Sequence, residues 1–88
     1  GQGEQILLAG QKAMLRGELG QAEEAFRTVL ALDDRDVEGW LYLGRTCQLQ
    51  GKTGLARRFY RVVRRLDRAG KWTWELENLS GGHSVVTP

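Results

Sequence analysis

The stretch "LRGELGQA", residues 15–22, returns further along the chain as "LQGKTGLA", residues 49–56. The second copy contains Gly51-Lys52-Thr53, the ending of a phosphate-binding loop, so the pair poses a choice between a nucleotide site and a structural repeat. A phosphate loop needs another glycine upstream, after a buried strand, so that backbone N–H groups can wrap the phosphates. Thr46 stands where that glycine would be, Gly44 comes two residues too early, and "WLYLGRTCQLQ" lacks strand-like alternation. The twin of Gly51 is Gly17, followed by Glu18 and no lysine. The glycine belongs to the repeat, and Lys52-Thr53 does not.

The repetition has a period of 34 residues and aligns 3–36 with 37–70 without a gap. Identical pairs are Glu4/Glu38, Leu7/Leu41, Gly10/Gly44, Leu15/Leu49, Gly17/Gly51, Gly20/Gly54, Ala22/Ala56, Arg27/Arg61, Val29/Val63, Leu32/Leu66 and Asp33/Asp67, with Phe26/Tyr60 conservative. Each unit reads as two helices joined by a short turn. In the second unit Trp40, Leu43, Gly44 and Cys47 share one stripe, and Gly51 supplies the left-handed residue that ends the helix. Thr53 is the expected N-cap of the next helix. There Ala56, Phe59, Tyr60, Val62, Val63 and Leu66 fill an arc of about 160° at the helical period. Gly44 and Ala56, like Gly10 and Ala22, are small so that two antiparallel helices can approach closely.

These residues resemble the tetratricopeptide repeat family. Trp40, Leu43, Gly44, Gly51, Ala56 and Tyr60 match its pattern in the second unit, and Ile6, Ala9, Gly10, Gly17, Ala22 and Phe26 in the first. "GQAEEAFRTVLALDDRD" is similar to many bacterial repeats of this kind. The family's proline after the second helix is Asp34 or Arg68 here, its late alanine is Val29 or Val63, and its mid-helix tyrosine is Ala13 or Cys47. The resemblance implies an all-α tandem helix-turn-helix solenoid. It divides the chain into repeat 1 (3–36), repeat 2 (37–70), a C-terminal capping helix (71–80) and a flexible tail (81–88). In the capping segment Trp72, Leu76 and Leu79 share one face, as a terminal repeat with a polar outer side requires.

Eighty-eight residues make one small domain. No apolar run approaches the roughly 20 residues that span a bilayer, and no signal-peptide pattern is visible. A single Cys47 excludes an intramolecular disulfide, and together with the single His83 it cannot make a zinc site, which points to a reducing, cytoplasmic setting. The net charge of +2 is unevenly spread. Residues 1–36 hold seven acids against four bases, a net −3, and residues 37–88 hold nine bases against four acids, a net +5.

No nucleophile beside a base and no carboxylate pair at a cleft can be read, so we expect no catalysis, no cofactor and no metal. Cys47 lies on the buried stripe. Asp33, Asp34 and Asp36 have turn and N-cap duties between the repeats.

Two surfaces are candidates for binding. In the family the first helix of each repeat lines a concave groove, which here would carry Glu4, Leu7, Gln11 and Met14, then Glu38, Leu41, Arg45 and Gln48. Leu7 and Leu41 are read as exposed leucines that a peptide or protein partner would cover, with Arg45 orienting it; the alternative is that Leu41 packs against the next helix. The lysine and asparagine set with which some family members grip a chaperone C-terminus is replaced by Leu7 and Gln11, which argues against that role. The second surface is basic: Arg57, Arg58, Arg61, Arg64, Arg65 and Arg68 project into an arc of about 120°. It is either a solvated outer face or a site for an acidic protein or nucleic acid, and a whole-chain charge of +2 argues against a dedicated nucleic-acid binder. The −3 and +5 ends also allow copies to stack head-to-tail as a homo-oligomer. The expectation is a non-catalytic protein-interaction scaffold, part of a larger bacterial protein, whose alternatives are self-association and recruitment through the arginines.

Overall fold

The computed structural model describes residues 1–72. They form four helices: α1 (Gln2–Leu15), α2 (Leu19–Leu32), α3 (Val37–Leu49) and α4 (Thr53–Leu66), with no strand among the described residues. Lys71 and Trp72 lie in a turn after Gly70; the rest of the expected helix 71–80, and the tail 81–88, fall outside the described residues.

The two turns within the repeats are built alike, as the matching octapeptides require. Gly51 has φ +84° and Gly17 has φ +79°, a region open to glycine because it has no Cβ. The Gly51 N–H donates to the Gln48 carbonyl at 3.0 Å and the Lys52 N–H to the Cys47 carbonyl at 2.8 Å. In the first turn Gly17 donates to Met14 at 3.0 Å and Glu18 to Ala13 at 2.9 Å. Both are Schellman endings, in which the left-handed residue lets the chain double back onto the last free carbonyls. The expected cap at Thr53 is not formed: α4 begins at Thr53 itself, its N-cap position is Lys52, and no side chain caps it.

Between the repeats the aspartates act as expected. Asp36 caps α3 by accepting the Gly39 N–H at 3.0 Å, and Asp33 accepts the Arg35 N–H at 3.0 Å. The Trp40 indole N–H donates to the Asp34 carbonyl at 2.7 Å, which ties the first turn of α3 to the connection that leaves α2.

Helix α1 packs on α2, α3 packs on α4, and α2 joins the two pairs by packing on α3. The tightest approaches occur at glycines. A Cβ on Gly44 would lie 2.5 Å from Cε1 of Tyr60, and one on Gly10 would lie 2.6 Å from Cε1 of Phe26. The absent side chain is thus filled by the aromatic ring of the partner helix, four residues after the buried Ala56 or Ala22. Gly39 plays a third such role where α3 meets α2, beneath Leu30 and Val29.

Leu43, Cys47, Ala56, Tyr60 and Val63 join Ala13, Ala22 and Phe26 in one apolar cluster, with Trp40, Phe59 and Trp72 packed against it. Phe26 stacks on Tyr42 at 5.7 Å between ring centres, and Trp40 tilts against Phe59 at 5.6 Å. Helix α3 is buried on more than one side, since Gly39, Leu41, Leu43, Gly44, Thr46 and Cys47 are all enclosed. None of the helices is long and apolar enough to cross a membrane among the described residues.

Candidate functional site on α1 and α3

The residues expected to line a groove divide into two groups. Glu4 is exposed. Gln11, Glu38 and Arg45 are half-buried, and the Arg45 guanidinium sits over the Tyr42 ring, 5.2 Å from its centre. Gln48 is exposed, and its Oε1 accepts the Tyr60 hydroxyl at 2.6 Å. Burial of that phenol pushes its pKa up to about 12, so it stays a proton donor across the physiological range.

The other group turns inward. Leu7 and Met14 are half-buried against the apolar cluster. Leu41 has 0% of its surface exposed and is part of the cluster. The expectation of an exposed Leu41 is therefore corrected: it is a core residue, because α3 is enclosed on both the Leu43 side and the Leu41 side.

The apolar surface that is available belongs to residues the sequence reading passed over. Leu15 is 83% exposed and Leu49 62% exposed, and they are the same residue at the same place in each repeat. Leu8 is 52% exposed, and its counterpart one repeat later is Tyr42, half-buried under Arg45. On α1, Glu4, Leu8, Gln11 and Leu15 make a stripe; on α3, Glu38, Tyr42, Arg45 and Leu49 make its equivalent. Compared with the expected lining, this stripe is rotated by about 50° around each helix at 100° per residue. The identity of Leu15 and Leu49 was the available signal, since a leucine retained at the last helical position of both units is not required by the helix pair beneath it.

A polar tie fixes one helix pair to the other. The Glu23 carboxylate of α2 accepts Arg27 Nε at 3.0 Å, Gln50 Nε2 at 3.1 Å, and lies 3.5 Å from Lys52 Nζ. Gln50 and Lys52 flank Gly51, so the lysine of the phosphate-loop look-alike is spent on an inter-repeat ion pair. The Gln50 and Arg27 hydrogen bonds hold the Glu23 carboxyl below its ordinary 4.5. A carboxyl lowered by folding contributes stability that is present above its ordinary value and is lost as pH falls through the folded value. Glu23→Gln is accordingly expected to cost about 1–2 kcal/mol at neutral pH. In urea melts the gap between variant and wild type should close in acid; a gap independent of pH would exclude the carboxylate as its source.

Cys47 is fully enclosed and burial pushes its thiol pKa up, which disfavours the reactive thiolate. Arg57, Arg58, Arg61, Arg64 and Arg65 are exposed on α4, as expected for the basic face; Arg68 is exposed too but lies in the turn beyond the helix, which ends at Leu66. No family model, curated protein or solved structure matches the chain.

Proposed function

We propose that the chain is a non-catalytic protein-interaction module made of two tetratricopeptide-like repeats, and that it binds a peptide or protein segment along the stripes of α1 and α3. The observation that carries this reading is the pair of exposed leucines, Leu15 and Leu49, placed identically in the two repeats. Their repetition gives a partner two apolar contacts one repeat apart. Glu4, Gln11, Glu38 and Arg45 lie on the same stripes and supply polar groups beside them, a mixture suited to an amphipathic segment whose leucine-sized anchors give affinity and whose charges set direction. The paired helices, the twin turns and the two aromatic-over-glycine contacts support the solenoid reading of the fold.

The test is selection of binding peptides from a displayed library on the wild-type protein, followed by titration against Leu15→Glu/Leu49→Glu. Full burial of a leucine is worth about 1.5–3 kcal/mol. Selected peptides should therefore bind the variant at least about tenfold more weakly, while its helical circular dichroism is unchanged. Retained affinity would remove the stripe as the working surface. A mass that rises with protein concentration and falls in the double variant would instead assign the leucines to self-association.

A further inference from the structure

The run of arginines is particular to the second repeat. At the positions where α4 carries Arg57, Arg58, Arg61, Arg64 and Arg65, and the turn after it Arg68, the preceding unit carries Glu23, Glu24, Arg27, Leu30 and Ala31, and after α2 Asp34. Of these, Leu30 contacts α3 and Glu23 the turn that follows it, so these acidic and apolar residues of the first unit serve the docking of the second, whereas no such partner helix follows the arginine face of the second unit among the described residues.

That face also works against the helix that bears it. Helix α4 contains no aspartate or glutamate, and Arg57, Arg61 and Arg65 follow one another at i,i+4 spacing, where like charges repel. Arg57, Arg58, Arg61, Arg65 and Arg68 are exposed and have no ion pair among the described residues. Only arginine is used on this face, never lysine. The guanidinium presents a planar fork that takes a carboxylate or phosphate through two parallel hydrogen bonds.

We propose that this face is a docking surface for an acidic protein segment, one that presents a row of aspartates or glutamates along about 12 Å, the rise from Arg57 to Arg65 on α4. The charge is complementary, and the row of forks fits carboxylates in series. A nucleic acid fits less well. No aromatic side chain shares the arginine arc to stack a base, and a long phosphate polymer would also meet the first repeat, whose net charge is −3. This surface is independent of the α1 and α3 stripes.

The probes are labelled poly-glutamate, single-stranded and duplex DNA of matched charge, and phosphatidylserine vesicles, each titrated at physiological salt. Poly-glutamate should bind most tightly. Arg61→Glu should weaken it about tenfold or more, and should raise the melting temperature because four like-charged neighbours at i±3 and i±4 become opposite ones. Arg57→Lys/Arg61→Lys/Arg65→Lys keeps the charge and should still lose several-fold in affinity, since the forks are gone. Leu15→Glu/Leu49→Glu should bind poly-glutamate as wild type does. The proposal is overturned if poly-glutamate does not bind, if DNA or vesicles bind more tightly, if Arg61→Glu binds unchanged, or if Arg61→Glu melts lower and so reveals a structural role.

Discussion

Gly44→Leu is expected to leave the chain unfolded at room temperature, with helical circular dichroism lost and no cooperative urea transition. The reason is geometric. Even the first carbon of a side chain at this position would lie 2.5 Å from Cε1 and 2.8 Å from Cδ1 of Tyr60, inside the distance at which carbon atoms can pack. The obstacle is a rigid ring, itself buried and anchored through its hydroxyl to Gln48, so it cannot swing aside as the end of a flexible chain would. Overpacking a formed core costs about 1–3 kcal/mol for added methylenes, and leucine adds four carbons at a site with room for none. A small domain has only a few kcal/mol to lose. Gly44→Ala is the graded form of the same test: alanine favours a helix over glycine by about 1 kcal/mol, yet the variant should be less stable by about 1–3 kcal/mol. Removing the ring should relieve it, so that Tyr60→Leu costs less in the Gly44→Ala background than alone. A folded, cooperative Gly44→Leu protein would end the account of α3 and α4 as helices in contact through this glycine.

The period of 34 residues made much of this legible in advance. Local chemistry sets helices and turns, and most of it was written twice: Gly17 and Gly51 for the left-handed endings, Phe26 and Tyr60 for the rings over Gly10 and Gly44, while the cap at Asp36 is written once. Glu23 with Gln50 and Lys52 could not be foreseen, because a contact between residues far apart in sequence depends on how the helix pairs dock, and neither Gln50 nor Lys52 has an equivalent in the first unit. The same limit explains the displaced candidate stripe. A helix read alone is assumed to have one buried face, and α3 violates that assumption because it is enclosed on two. Its apolar residue on the second face was read as an unpaired contact, while Leu15 and Leu49, at the helix ends, were passed over as part of the turn.

The burial of Leu41 reverses what a charge at that position should do, and the reversal can be measured. A leucine lining an open groove could become glutamate and lose only a partner. A leucine with 0% exposure must carry the new carboxylate into an apolar cluster. Loss of the side chain alone costs about 2–5 kcal/mol when leucine is cut back to alanine in a core, and a buried, unpaired carboxylate adds a desolvation penalty of several kcal/mol more. Leu41→Glu is therefore expected to unfold the protein at neutral pH. Because a glutamate forced into an apolar site favours its protonated form, the variant should regain helical structure as pH is lowered toward the ordinary glutamate range, opposite in sign to the acid loss expected around Glu23. Its identical counterpart, Leu7, is only half-buried, so Leu7→Glu can turn its carboxylate outward and should cost much less, about 1–2 kcal/mol. If Leu41→Glu and Leu7→Glu proved equally stable in urea melts, the two leucines would occupy equivalent exposed positions, and the α1 and α3 stripes would have to be redrawn to include both.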